Sequence, residues 1–255
     1  MISAKLFPED LDVNGLSLIT GFHGIGSTGF LALNHLINTL KPDRIGVFET
    51  DYLSPISSIN SGKIITPFEI YKKDNIAFLR VAVPPLQGNE IVFLRNVCEI
   101  ILEKNFKELI LLGGLDAQLK KDDSNFRYVK TSSYKLPKYL SDSTPLEDER
   151  IIIGPVAQML NFMEVRNFPT LGLLPFATSI RLDPRAASEA VKILSNIFNL
   201  EVEVDTLVEQ ALELDQNDQP ELVDNNKSAP SNICLLYTSD AADERSSVDL
   251  GGRRI

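Results

Sequence analysis

The chain has 255 residues, 44% of them hydrophobic, and sets 25 Lys and Arg against 35 Asp and Glu for a net charge of −10. An acidic chain with no long basic run excludes a nucleic-acid backbone as the main partner. No apolar stretch reaches the ~20 residues of a membrane span, and the N-terminus, MISAKLFPEDLD, lacks the apolar core of a signal peptide.

Cys98 and Cys234, with His23 and His35, supply neither a disulfide scaffold nor the usual zinc cage, so a reducing cytoplasm is expected. In chain order, Leu16–Thr20 reads as a strand, and a glycine turn leads into a helix with Phe30, Leu33, Leu36, Ile37 and Leu40 in phase until Pro42 stops it. RIGVFET is the next strand, and KIITPFEIYKKDNIAFLRVAV reads as a hairpin around Lys72-Lys73-Asp74-Asn75. Residues 89–105 form a helix with Ile91, Leu94, Val97, Cys98 and Ile101 on one face, and KELILLGG is a buried strand.

Residues 115–150 lose the pattern and read as a polar insertion. IIIGPVAQMLNFMEVRN then predicts a strand, a glycine turn and a helix; PTLGLLPFA is another strand. Asp183 is placed to cap a helix that opens on Pro184, where a missing N–H costs nothing. A last amphipathic helix closes a single domain over residues 1–214. Residues 215–233 read as a disordered polar tail. Strands alternating with crossover helices predict an α/β fold with a mixed, mostly parallel sheet covered on both faces.

Residues 234–255 break with everything before them. CLLYTSDAADE and VDLGGRRI, in that order, resemble two reading frames of a sequencing-library adapter. The segment is therefore expected to be non-native and is left out of the fold.

Gly24, Gly26 and Gly29 satisfy G-x-G-x-x-G between a strand and a helix, the context in which a dinucleotide pyrophosphate meets a helix N-terminus. Glu49, ending the second strand, is where such a site would hold a ribose. No lysine follows in the manner of a Walker A loop. The same glycines equally allow a tight turn and close packing of the helix on the sheet. Local pattern leaves both readings open.

The wider pattern resembles the PAC2 family, the proteasome assembly chaperones. Gly21, Gly24, Gly26 and Gly29 take the four places of a G-x-x-G-x-G-x-x-G turn. Gly154, Met159 and Leu160 follow a second motif, and Asp183, Pro184, Ala186 and Ala187 fill an aspartate-proline-x-alanine-alanine motif. The departure is His23, where the family commonly carries a small residue. The resemblance implies a three-layer α/β/α sandwich of the phosphorylase/hydrolase-like group. It also implies homo-oligomers, and a binding role in assembling the α-ring of the 20S proteasome through its α subunits, without cofactor or turnover. Some members end in a hydrophobic residue, a tyrosine and one further residue that enter pockets between α subunits. Leu236-Tyr237-Thr238 lies inside the adapter-like segment and is not terminal.

Catalytic groups are few. No G-x-S-x-G elbow occurs; Ser27 is the nearest approach, and His35 lies eight residues away, about two helical turns. Asp116 reads as a loop cap, Lys120 to Asp123 as a solvated charge run, and Cys98 as core. Two functions are carried forward. The first is an assembly-chaperone-like binding protein. The alternative is a nucleotide-binding enzyme, carboligase-like or phosphorylase-like, that uses Gly24, Gly26, Gly29 and Glu49.

Overall fold

A computed structural model of the chain describes residues 4–53, 55–60, 62–85 and 88–217. In chain order the first half contains β1 (Ala4–Phe7), β2 (Ser17–Gly21), α1 (Thr28–Leu40), β3 (Asp43–Thr50), β4 (Ser58–Asn60), β5 (Lys63–Ile65), β6 (Phe68–Lys73), β7 (Ile76–Val81) and α2 (Glu90–Glu103). The second half contains β8 (Glu108–Leu112), β9 (Leu115–Asp116), β10 (Phe126–Lys130), α3 (Gly154–Val165), β11 (Thr170–Ala177), α4 (Pro184–Phe198) and α5 (Asp205–Asn217).

The main sheet has the order β1-β3-β6-β7-β2-β8-β11-β10, with β9 beside the end of β11. Strands β7, β2, β8 and β11 pair in parallel, while β1, β3, β6 and β10 join antiparallel at the flanks. The sheet is mixed, and its parallel pairing is concentrated in the middle. Central strands are buried on both faces, which is why they read as unbroken apolar runs. Leu18, Leu79, Leu109 and Leu111 turn to one core with Phe93, Val97, Met159 and Met163 of α2 and α3. Their neighbours Ile19, Phe78, Ile110 and Leu112 turn to the other core, with Leu33 and Leu36 of α1 and Ala187 and Val191 of α4. The three layers expected from the resemblance are present.

Local chemistry sets the boundaries. Lys41 ends α1 in the left-handed region at φ 47 and Pro42 follows. The hairpin of β6 and β7 turns on Asp74-Asn75, with Asp74 at φ 52 and Lys73 already facing Ile76. Asp183 caps α4 by accepting from the Ala186 amide at 3.0 Å, with Pro184 in the first turn.

The structure corrects the sequence reading in four places. Ala4–Phe7 is an edge strand on β3. Residues 63–71 are not one strand: Pro67 has no N–H to continue the ladder, and β5 pairs instead with β4 in a separate two-stranded ribbon. Ile151–Ile153 form no strand and lead directly into α3. Finally, the 115–150 insertion is not merely a polar excursion, because β10 within it closes the sheet against β11. The tail from 218 and the adapter-like segment lie outside the described residues.

Candidate functional site

The glycine turn sits where β2 hands over to α1. Strand directions place this handover, and the starts of α2, α3 and α4, at one edge of the sheet, the carboxyl end of its parallel strands. Open α/β sheets bind ligands at that edge, so the turn's occupancy decides between the two readings.

Its occupant is the rest of the protein. A Cβ on Gly21 would lie 2.2 Å from the Gly29 carbonyl oxygen, and one on Gly29 would lie 2.2 Å from the Leu112 carbonyl oxygen. Helix α1 is therefore pressed backbone to backbone onto the ends of β2 and β8, an approach no side chain permits. Gly26 takes φ 60, and a Cβ there would meet Asp183 Cβ at 2.8 Å and the Thr178 carbonyl at 3.1 Å. Its carbonyl accepts the Asp183 amide at 2.9 Å.

Asp183 completes the lock. One carboxylate oxygen accepts the Thr178 amide at 2.9 Å and the other accepts the Ala186 amide. The first and third sequence motifs thus form one packed junction of the glycine turn, the end of β11 and the start of α4. Ala186 and Ala187 are buried; Ala187 lies in the core that α1 and α4 share. Gly154 of the second motif takes φ 79 at the start of α3, and Met159 and Leu160 are buried under that helix.

Two amides of the turn are engaged internally. Ser27 N–H donates to the Gly24 carbonyl at 2.8 Å, and Phe30 N–H donates to the Phe22 carbonyl at 3.3 Å. The Asp183 carboxylate beside Gly26 would repel an anion. Glu49 is not brought to the turn: β6 and β7 intervene between β3 and β2, leaving it about 14 Å away at the usual strand spacing. In a dinucleotide fold the ribose-holding strand is the immediate neighbour.

Each histidine contacts a backbone carbonyl, and His35 also has the hydroxyls of Thr39 and Thr206 at 3.5 Å. His23 Nε2 contacts the Ala82 carbonyl at 3.1 Å and its ring stacks on Phe30 at 3.8 Å; desolvation against that packing lowers its pKa, an effect partly offset by the Ala82 bond. His35 Nε2 contacts the Glu203 carbonyl at 2.7 Å, tying α1 to the segment before α5. Asp116 accepts the Gln118 amide at 2.9 Å, the cap expected of it. Cys98 is buried, and desolvation pushes its thiol up to about 12. Among the described residues no cluster of three His, Cys, Asp or Glu could hold a metal ion.

Sequence reasoning missed Arg127. It lies on β10 with 1% of its surface exposed. Its guanidinium donates to Asp122 at 2.8 Å and to Glu147 at 3.2 Å, and lies over the Phe176 ring at 5.0 Å. Asp122 is therefore not part of a merely solvated run. The only sequence signal was an arginine between two aromatic residues in an otherwise polar segment.

Two cavities, about 460 and 570 Å³, open at the opposite edge of the sheet, one beside Lys41, Lys72 and Lys73 and one beside Lys107, Glu108 and Tyr134. Neither touches the glycine turn.

The sequence pattern of the PAC2 family matches residues 18–219. An uncharacterized protein of Methanocaldococcus jannaschii is 26% identical over 215 residues, covering 83% of this chain and 88% of the relative. Proteasome assembly chaperone 2 of Danio rerio is 27% identical over 118 residues, 42% of this chain and 45% of its own length. Among solved structures, Pyrococcus furiosus PbaA, an archaeal homolog of proteasome-assembly chaperone, has a TM-score of 0.70 at 23% identity, covering 84% of this chain and 94% of that one. Pyrococcus furiosus PbaB, an archaeal proteasome activator, has a TM-score of 0.66 at 21% identity, covering 85% and 98%. At such identities the structures show a shared fold. With the family pattern running from β2 to the end of α5, across the glycine turn, the start of α3 and the Asp183 cap, the chain belongs to the PAC2 family.

Proposed function

We propose that this protein is an assembly-chaperone-like binding protein. It engages proteasome α subunits, assists formation of the 20S α-ring and turns over no substrate. It does so as a homo-oligomer in the cytoplasm, in the manner of the archaeal members. The observation that carries this reading is the junction of Gly26 with Asp183 and Thr178, where the glycine geometry serves close packing of the turn on the start of α4. Support comes from the relatives, a proteasome assembly chaperone and a proteasome activator among them.

The test is co-purification with α subunits, using a chain that carries the gene's own C-terminus in place of residues 234–255. Capture of α subunits, and faster α-ring formation in their presence, is the expected result. Failure to bind them counts against the proposal. Calorimetric titration with ATP and NAD is expected to show no heat of binding. Micromolar affinity that vanishes in Gly26→Val would instead revive the nucleotide-binding enzyme.

A further inference from the structure

Buried charge collects at a place that neither the glycine turn nor the two cavities use. Glu69 of β6 is fully buried. Its neighbours Phe68 and Ile70 turn to the core shared with α2 and α3, so by alternation Glu69 turns with Tyr71 to the face that carries α1. Arg80 of β7 is its direct cross-strand partner, and Arg44 of β3 lies opposite Tyr71. On this face α1 packs on β2, β7 and β8. Farther out the sheet opens, since Lys5 and Phe7 of β1 are exposed in alternation with buried Ala4 and Leu6. The Glu69 group lies between the helix-covered strands and that open flank.

Within the group, donors outnumber acceptors. Glu69 Oε1 accepts the Thr66 amide at 3.0 Å and the Thr66 hydroxyl at 3.3 Å, and lies 3.0 Å from Arg44 Nε. Oε2 accepts the Tyr71 hydroxyl at 2.5 Å. These donors use the roughly four lone-pair sites a carboxylate offers. Arg80 is left over. Its Nη1 stands 3.8 Å from Oε2, too far for a hydrogen bond, and its Nε is closed to solvent with no partner among the described residues. A buried donor without an acceptor is costly, the more so on a cation. Charge is unbalanced too. Among the described residues Glu69 is the single carboxylate paired with either arginine, so two guanidiniums face one acid.

We infer that Arg80 and Arg44 form a binding site for a carboxylate, supplied by a small organic acid or by an acidic side chain. Charge selects the class. One carboxylate neutralises the excess, whereas a phosphate, close to a dianion at neutral pH, would leave the site negative. Geometry agrees, because a guanidinium edge presents two parallel N–H groups that match two carboxylate oxygens. Held by an ion pair without a hydrogen bond, Arg80 can turn its Nε edge to an incoming acid. Exposure gives the access: 18% of the Arg80 side chain and 39% of the Arg44 side chain reach solvent, while Glu69 stays covered. The acid therefore meets the two cations first and is shielded by them from Glu69.

The experiment is NMR of the arginine Nε–H groups in the full chain, titrated with sodium acetate against sodium chloride of equal ionic strength. The Arg80 resonance is expected to move saturably, with a dissociation constant of about 1–10 mM for so small a ligand. Arg95, exposed on α2, should not respond. Arg80→Lys keeps the charge but loses the paired donors, and should weaken binding at least about 10-fold; Arg44→Lys should weaken it about 3-fold. Circular dichroism establishes that both variants are folded, and the titration of the unmodified chain decides the matter without them.

A second titrant separates the sources: a peptide of glycine and serine with one central glutamate, acetylated and amidated at its ends. Tighter binding than acetate assigns the site to an acidic side chain of a partner, and exclusion of the peptide while acetate binds assigns it to a small organic acid. An Arg80 resonance that responds to acetate no more than to chloride overturns the inference. So does inorganic phosphate that binds as tightly as acetate, or acetate binding that Arg80→Lys leaves unchanged. None of these outcomes depends on capture of α subunits.

Discussion

The two ends of the sandwich were built from the same strands and helices, yet their chemistry is opposite. At the helix-start end, backbone meets backbone: Gly21 on Gly29, Gly29 on Leu112, Gly26 on Asp183. At the helix-finish end, Lys41, Asp43, Lys72, Lys73, Lys107 and Glu108 surround the two cavities. Helices α1 and α3 begin at the first end with small residues and no charge in their first turns, and leave the second among solvated ions. The first end has specific geometry and an exposed apolar surface, which suits association. The second has hollows rimmed by lysines, one of them lined also by Tyr134, Pro169, Ile197 and Phe198. Function of the kind proposed belongs to the end that is tightly fixed, because a rigid apolar surface loses little side-chain entropy when it is covered.

The largest effect that would test this contrast is at Gly29. Gly29→Ala places a methyl 2.2 Å from the Leu112 carbonyl oxygen, so α1 must lift from the sheet. A loss of about 3 kcal/mol is expected, read from the urea midpoint at unchanged slope. A near-neutral result would mean that the helix is not seated as described.

Next in size is the pair of loops held by Arg127, the exception that sharpens the comparison. Charges do occur at the β10 flank of the helix-start end, but Asp122 and Glu147 converge on a buried guanidinium. For Asp122 the Ser124 amide is the first cause of a lowered pKa, with Arg127 next; for Glu147 a backbone hydrogen bond comes first, with Arg127 and Arg150 adding to it. Lys120 also faces Asp122. A carboxylate with a depressed folded-state pKa stabilises the fold above its ordinary value near 4, and this contribution is lost as pH falls through the depressed value. Asp122→Asn/Glu147→Gln should therefore lower the thermal midpoint at pH 7. The gap to the unmodified chain should close below about pH 4. A pH-independent gap would show that the carboxylates act by shape and not by charge.

Smaller again is Asp183→Ala, which removes the cap from α4 and the acceptor of the Thr178 amide. About 1–2 kcal/mol is expected by chemical denaturation, with Asp183→Asn recovering part of it because an amide oxygen still caps.

What could be read from the sequence was whatever local chemistry settles. The glycine turn, the Pro42 stop, the Asp183 cap and the doubly buried central strands follow from neighbours within a few residues. What could not be read depends on partners far along the chain. β10 reads as polar because Arg127 is at its centre, and that arginine is buried only through loops on either side of it. Glu49 looked like a ribose holder until strand order placed β6 and β7 between it and the turn. The three motifs of the resemblance were visible in order. That Gly26 meets Asp183, more than 150 residues later, was not, and the packing account of the glycines rests on this contact.

Gly24 gives the smallest and most discriminating prediction. Gly24 and Gly29 are the first and third members of the G-x-G-x-x-G string; in a dinucleotide site the first makes the tight turn beneath the pyrophosphate and the third lets the helix pack on the sheet, so a ligand site would make Gly24 matter for binding. The packing account separates them. Around a Cβ on Gly24 there is nothing within 4 Å, and its φ of −144 is open to any residue. Gly24→Ala should change stability by no more than about 0.5 kcal/mol, or raise it slightly by restricting the unfolded chain. If Gly24→Ala leaves the fold intact but abolishes a measurable affinity for ATP or NAD, the string is a ligand site and the division of the molecule into a packed, associating end and a solvated end fails. If it is silent in every assay while Gly29→Ala unfolds the protein, the glycines are distinguished by what each one touches, as helix seating requires.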